Sequence, residues 1–196
     1  MAENERIRSF VAIELDPVVL NALQALQHQM AQLGADVRWV RPDGMHLTLK
    51  FLGAVRRDLL GRVHAALAHA VRGQLALQVL VKELGAFPSI RRPRVLWAGM
   101  HGDGLVELAG AVEEALVPLG FAAEKRPFSP HVTLGRVNSL RGWPALEELF
   151  KAHLDDEFGS SDVRAVVVYR SKLQPGGAVY TALWTIPLTQ HKGGSL

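Results

Sequence analysis

One nine-residue frame occurs twice in the chain, and its spacing constrains the fold more than any other feature. Arg41-Pro42-Asp43-Gly44-Met45-His46-Leu47-Thr48-Leu49 and Arg126-Pro127-Phe128-Ser129-Pro130-His131-Val132-Thr133-Leu134 both read Arg-Pro, three variable residues, then His, an apolar residue, Thr and Leu. Arginine and histidine alike recur at an offset of 85 positions, 41 to 126 and 46 to 131. Residues i and i+2 of a strand point to one face. His46 and Thr48 therefore face one way while Leu47 and Leu49 face the other, and His131 and Thr133 repeat this over Val132 and Leu134. Chance is a poor explanation, because the chain has only five threonines (Thr48, Thr133, Thr181, Thr185 and Thr189) and two of them follow a histidine by two places inside matching frames.

The order of predicted elements supports a duplication. Ser9 to Leu15 reads as a strand. Asp16-Pro17 opens a helix through about Leu33, with Asp as N-cap and Pro in the first turn, and Gly34 stops it. Val37 to Val40 is a short strand and Met45 to Leu52 the motif strand. A helix follows from about Asp58 to Val71, then a strand from Leu75 to Leu84. Adding the offset gives strand Val95 to Met100, helix Asp103 to Leu119 ending at Gly120, motif strand Val132 to Val137, helix Trp143 to His153 and strand Val163 to Tyr169. The turn Gln174-Pro175-Gly176-Gly177 leads to a last strand, Ala178 to Pro187. Each half thus reads strand–helix–strand–motif strand–helix–strand, over repeats of about 9–84 and 94–169. No Gly-, Pro- or Ser-rich linker separates them, so residues 1–190 form one bilobal domain and 191–196 a frayed tail.

With 196 residues, 48% hydrophobic and 21% charged, the chain has the composition of a globular protein with a substantial core. Its apolar runs are broken well before membrane-spanning length, and Met1 to Arg8 lacks the apolar core of a secretory signal. The absence of cysteine excludes a disulfide framework, a thiolate metal site and a cysteine nucleophile. A cytoplasmic monomer is the expectation. The formal charge of +3 is too weak to indicate nucleic-acid binding by itself. Its clustering is more useful: Arg91, Arg92 and Arg94 surround Pro93, and Lys125-Arg126 precede the second motif.

If the halves pack about a pseudo-two-fold axis, both His-x-Thr pairs line one groove. One neutral and one protonated imidazole can then move protons on opposite sides of an in-line displacement at phosphorus. The hydroxyls of Thr48 and Thr133 can donate to non-bridging phosphate oxygens. This chemistry requires no metal and no cofactor.

These residues resemble a known group. The two motifs, with Pro127-Phe128-Ser129-Pro130 before the second, are similar to the 2H phosphoesterase superfamily, and within it to the RNA 2′,3′-cyclic phosphodiesterases, also called the 2′-5′ RNA ligase family. Phe10-Val11-Ala12-Ile13, Lys50-Phe51-Leu52-Gly53 and Arg94-Val95-Leu96-Trp97 carry the likeness over about Arg8 to Leu188. The resemblance implies an α+β fold with an antiparallel sheet in each lobe, helices on the outer faces and the histidines in a central cleft. It also implies hydrolysis of RNA 2′,3′-cyclic phosphate ends to 2′-phosphomonoesters, with His46 as proton donor and His131 as acceptor. Some members join tRNA halves through a 2′-5′ linkage. The near-symmetry of the motifs leaves the acid and base roles open on the residues alone.

Among the neighbours, Lys50 shares strand parity with His46 and Thr48 and is a candidate for the groove. Arg136 has the opposite parity and needs a bulge or strand end to contribute. Arg41 and Arg126 recur in both halves, for phosphate contact or to brace the strand entry. Phe10, Phe51, Phe128 and the tryptophans are expected in the core. The other histidines lack a ligand pattern; His64 and His69 stand five apart, not four. The chain has no phosphate-binding Gly-rich loop with Lys and no Lys-x-Asp-Gly element, so ATP is not an expected partner. Two other readings compete: the same chemistry on a small nucleotide such as ADP-ribose cyclic phosphate, and a non-catalytic RNA-binding module.

Overall fold

The computed structural model describes residues 5–175 and 177–190. Its strands are β1 (Arg6–Glu14), β2 (Val37–Trp39), β3 (His46–Arg56), β4 (Leu77–Phe87), β5 (Val95–His101), β6 (His131–Val137), β7 (Glu157–Val163), β8 (Ala165–Gln174) and β9 (Gly177–Pro187). Its helices are α1 (Pro17–Ala31), α2 (Leu60–Ala70), α3 (Leu105–Leu116) and α4 (Trp143–Ala152). Each helix buries one stripe, such as Val19, Leu23, Leu26 and Met30 in α1 or Leu105, Leu108, Val112 and Leu116 in α3. The three- and four-residue spacing is that of an amphipathic helix. Each fully buried aliphatic side chain contributes about 1.5–3 kcal/mol. No helix among the described residues is long and apolar enough to cross a membrane.

All strands join one antiparallel sheet in the order β7-β4-β5-β6-β3-β1-β8-β9, with β2 paired to β6 as well. The order is symmetric about its middle. β5 pairs with β6 as β1 pairs with β3, and β4 pairs with β5 as β8 pairs with β1. At the centre β3 and β6 meet through one register pair, Leu47 opposite Val132. Those two residues are images of each other at the offset of 85, so the pseudo-two-fold axis passes between them. The expected sheet in each lobe is therefore half of one continuous sheet. The lobes also trade strands: β4 of the first repeat lies beside β5, and β8 of the second beside β1.

Three expectations change. Residues 121–130, where the image of β2 would lie, contain no strand. Side chains take over from a ladder there: Glu113 accepts from the Glu124 N–H at 2.8 Å, and Lys50 Nζ donates to the Ala122 carbonyl at 2.7 Å. The expected strand from Val163 is two elements, since Val163 ends β7 and β8 begins at Ala165. β7 itself was not anticipated, because Glu157-Phe158-Gly159-Ser160-Ser161-Asp162-Val163 is polar and carries a glycine at φ 110°. Such a composition is tolerated at a sheet edge. In the turn after β8, Gly176 lies outside the described residues, as does the tail 191–196.

Candidate active site

On either side of the Leu47–Val132 pair the strands carry their polar residues. Leu47 and Val132 are fully buried, and alternation sends His46, Thr48, His131 and Thr133, all half-buried, to the opposite face. In that register His46 stands across from Thr133 and Thr48 across from His131. Only one residue pair joins β3 and β6, so a groove opens between the lobes with the four side chains at its base.

The two imidazoles sit in different surroundings. His46 stacks on Phe10, with ring centres 4.8 Å apart, lies 5.9 Å from Tyr169 and meets Tyr180 edge-on at 5.3 Å. Burial among these rings lowers its pKa from 6.5 to about 4, against the opposing pull of the Asp43 carboxylate. Tyr169 donates to Glu14, which lies directly opposite His46 on β1. Burial and that carboxylate together push the Tyr169 hydroxyl pKa upward. His131 is held differently: Nδ1 is 2.7 Å from the Ser129 carbonyl. Phe87 meets its ring edge-on at 5.1 Å, and Trp97 lies tilted at 6.2 Å. A carbonyl can only accept, so Nδ1 carries the hydrogen, and it is Nε2 that holds the lone pair when the ring is neutral. Neither threonine hydroxyl is engaged by another protein group among the described residues.

A shared irregularity just past each motif reverses two expectations. On β3, Ala12 opposes Thr48 and Val11 opposes Lys50, leaving Leu49 as an extra residue; on β6, Trp97 opposes Thr133 and Leu96 opposes Gly135, leaving Leu134 extra. A one-residue bulge moves every later side chain to the other face. Lys50 is thereby carried out of the groove and into the interior, where Nζ lies 2.6 Å from Glu113 Oε1. It braces β3 against α3 and the 121–130 segment. Removing one partner of a fully buried ion pair costs roughly 3–5 kcal/mol, and less where the other keeps solvent contact, as Glu113 does. Lys50→Met is expected to lower stability by about 2–3 kcal/mol in urea unfolding while affinity for inorganic phosphate stays within about twofold. A large loss of phosphate affinity without loss of stability would return Lys50 to the groove.

The same bulge brings Arg136 onto the face of His131 and Thr133, where it is exposed. Arg41 is tied to Asp43 at 3.1 Å at the entry to β3. Arg126 is exposed in the segment before β6, and its backbone N–H donates to Glu124 at 3.3 Å. Phe10 is buried as expected but forms the floor under His46. Phe51 is 69% exposed on the groove face, contrary to the core expectation. Tyr169, Tyr180, Glu14, Phe87 and Arg38 were not singled out from sequence; only strand register brings them to the motifs. Four of the other described histidines have partners of their own: Gln32 for His28, Trp184 for His64, Glu83 for His101 and Asp156 for His153. Among the described residues no group of three His, Cys, Asp or Glu side chains is arranged to hold a metal ion.

Comparison with known proteins places this chain in a family. Residues 13–97 and 100–180 each match the model of the LigT-like phosphoesterases, one match per repeat. The chain is 32% identical over 177 residues to the RNA 2′,3′-cyclic phosphodiesterase of Methanothermobacter thermautotrophicus, covering 90% of this chain and 96% of that protein. Among solved structures, a protein of Thermus thermophilus superposes with a TM-score of 0.79 at 27% identity, over 93% of this chain and 98% of its own. LigT of Escherichia coli in complex with 3′-AMP superposes with a TM-score of 0.73 at 28% identity, over 95% and 100% respectively.

Proposed function

The chain belongs to the LigT-like phosphoesterase family, and from that premise we propose that it hydrolyses RNA 2′,3′-cyclic phosphate ends to 2′-phosphomonoesters by paired acid–base catalysis. The observation that carries this reading is the single Leu47–Val132 pair, which sets two His-x-Thr pairs on one face about a pseudo-two-fold axis. The names of its relatives support the substrate class.

In the proposed reaction His131 Nε2 accepts a proton from water as the water oxygen attacks phosphorus. The bond from phosphorus to the 3′ oxygen breaks in line, and His46 gives its proton to that oxygen. Thr48 and Thr133 donate hydrogen bonds to the non-bridging oxygens, and Arg136 sets its guanidinium against the growing charge. An RNA 5′-hydroxyl in place of water yields a 2′-5′ linkage by the same steps, driven by the strained cyclic ester and not by ATP. Both motifs come from one chain, so the site needs no second copy.

Burial leaves His46 neutral at pH 7 in the free protein, and the phosphodiester anion must supply the field that charges it. The surroundings that lower the pKa also strengthen attraction to an anion. In an NMR titration the His46 ring is expected to titrate near pH 4 when free, and at least about one unit higher with inorganic phosphate bound, about 1.4 kcal/mol of coupling. A free ring already charged at pH 7 would refute the argument. The shift also bears on stability. Between pH 6.5 and pH 4 the unfolded chain binds a proton that the folded chain does not. Stability therefore falls as pH drops through that window, by about 3 kcal/mol from this group, read as the difference between wild type and His46→Asn in urea.

A short RNA ending in a 2′,3′-cyclic phosphate, incubated with the protein, tests the activity itself. A 2′-phosphate product is expected. A 3′-phosphate would reverse the orientation of substrate between the histidines, and no product would end the proposal.

A further inference from the structure

The two lobes match at the motif residues and diverge at the next position on the groove face. Phe51 of the first lobe has Arg136 as its image in the second, and the shared bulge sends both to the groove side. Around His46 the wall is aromatic: Phe10, Phe51, Tyr169 and Tyr180. Beyond His131 it turns basic. Arg38 on β2 lies directly opposite Arg136 on β6, both exposed. Like charges facing each other across a ladder are destabilising, and no carboxylate separates these two among the described residues. Further along, a recess of about 480 Å³ opens beside Arg92, Arg94, Asn138 and Ser139. Arg94 directly precedes Val95, the residue opposite Arg136, so the recess continues the same strip.

Arg41, Arg56, Arg57 and Arg164 each lie against a carboxylate. Arg38, Arg92, Arg94 and Arg136 have no ion-pair partner among the described residues, as is true also of Arg62 and Arg72; what sets the four apart is that strand register and the recess bring them together. Asp36 accepts from two residues of the recess lining, Asn138 Nδ2 at 3.1 Å and Ser139 Oγ at 2.6 Å. Those bonds hold its carboxyl pKa below the usual carboxylate range. Asp36 thus fixes the wall of the recess, and no ion pair joins it to these four arginines among the described residues. From His131 to Val137 the strand advances six residue steps, roughly 20 Å at about 3.3 Å each. That is beyond the reach of the nucleotide whose phosphate sits between the histidines.

We propose that the RNA strand upstream of the cyclic phosphate leaves the groove across Arg136 and Arg38, with its phosphates held by Arg92 and Arg94 at the recess. This makes an oligonucleotide, and not a mononucleotide, the preferred substrate. The inference rests on the cyclic-phosphodiesterase reading above and adds a direction and a length to it.

The test compares kcat/KM for a 2′,3′-cyclic mononucleotide with that for an eight-nucleotide RNA ending in the same cyclic nucleotide, in wild type and in Arg92→Ala/Arg94→Ala. All four kinetic series are run across a range of salt. Binding of a labelled octamer with a 3′-hydroxyl end, followed by fluorescence anisotropy, gives a readout independent of turnover. Wild type is expected to prefer the octamer by at least about tenfold, through KM. The double variant should lose most of that ratio, and its log Kd against log salt should flatten by about 1.4, the slope for two single-strand phosphate contacts. Equal use of both substrates by wild type, or an unchanged ratio and salt slope in the variant, would overturn the inference. Turnover of neither substrate would remove the proposed activity instead, and the anisotropy slopes would still decide whether the arginines hold RNA.

Discussion

His131→Ala is expected to lower kcat on a cyclic-phosphate RNA by about 10²–10⁴-fold, the usual worth of a positioned acid or base. His131 is half-buried at the start of β6, and among the described residues the one hydrogen bond of its ring is to a carbonyl in its own approach segment. Truncation removes the Nε2 lone pair without opening a core cavity, so the melting temperature should stay near that of wild type. His46 calls for a different variant because Phe10, Tyr169 and Tyr180 pack on its ring. His46→Asn keeps a polar group there and should show a loss of similar size. Residues that act as one unit are non-additive, so the double variant should be little slower than the worse single one. Steady-state rates beside thermal unfolding decide the matter. A folded His131→Ala protein within tenfold of the wild-type rate would remove the two-histidine mechanism and leave the family's fold without this chemistry.

Gly85→Ala should be the most damaging single methyl group near the site. Gly85 lies opposite Trp97, and a Cβ there would meet indole carbons Cζ2 and Cη2 at 2.0 and 2.2 Å. The ring has little room to yield, with Phe87 at 5.3 Å, His131 at 6.2 Å and Thr133 opposite in the register. Its Nε1 is buried without an acceptor among the described residues, so shape alone fixes the indole. Overpacking of this kind costs about 1–3 kcal/mol, a fall in melting temperature of roughly 3–10 °C for a chain of this length. The displaced indole should also shift His131, and a misplacement near 1 Å can cost about 10²-fold in rate. Replacing Trp97 by Leu in the Gly85→Ala background should restore part of the stability. A single variant melting within about a degree of wild type, at full rate, would show that the indole can swing aside freely.

The alternation His-apolar-Thr-apolar was enough to give the face of each motif, and the repeat interval enough to give the symmetry, because both follow from strand geometry alone. Lys50 and Arg136 could not be assigned that way. Their faces depend on bulges at Leu49 and Leu134, and Leu-Lys-Phe-Leu or Leu-Gly-Arg-Val carries no local mark of an extra residue. The aromatic partners of His46 were hidden for another reason. Tyr169 and Tyr180 lie more than 120 positions away in sequence, and only the β1–β8–β9 register carries them to Phe10 and His46. β7 was missed because burial, and not propensity, makes it a strand: of its seven residues Phe158, Ser161 and Val163 face inward.

The central pair of the sheet has an evolutionary consequence. In a symmetric dimer a residue on the axis meets its own copy in the second subunit, and Leu47 meets Val132 in that manner. The traded strands fit the same picture, because a chain of half this length could place its β4 beside the β1 of a second copy and reproduce the six central strands of the sheet. An ancestral homodimer of one such repeat would have carried two identical histidines about one phosphate, each obliged to serve as acid and base in turn. Joining the copies end to end would have released them from that identity. One half could then wrap its imidazole in aromatic rings, and the other could tether its imidazole to a carbonyl and gather arginines behind it.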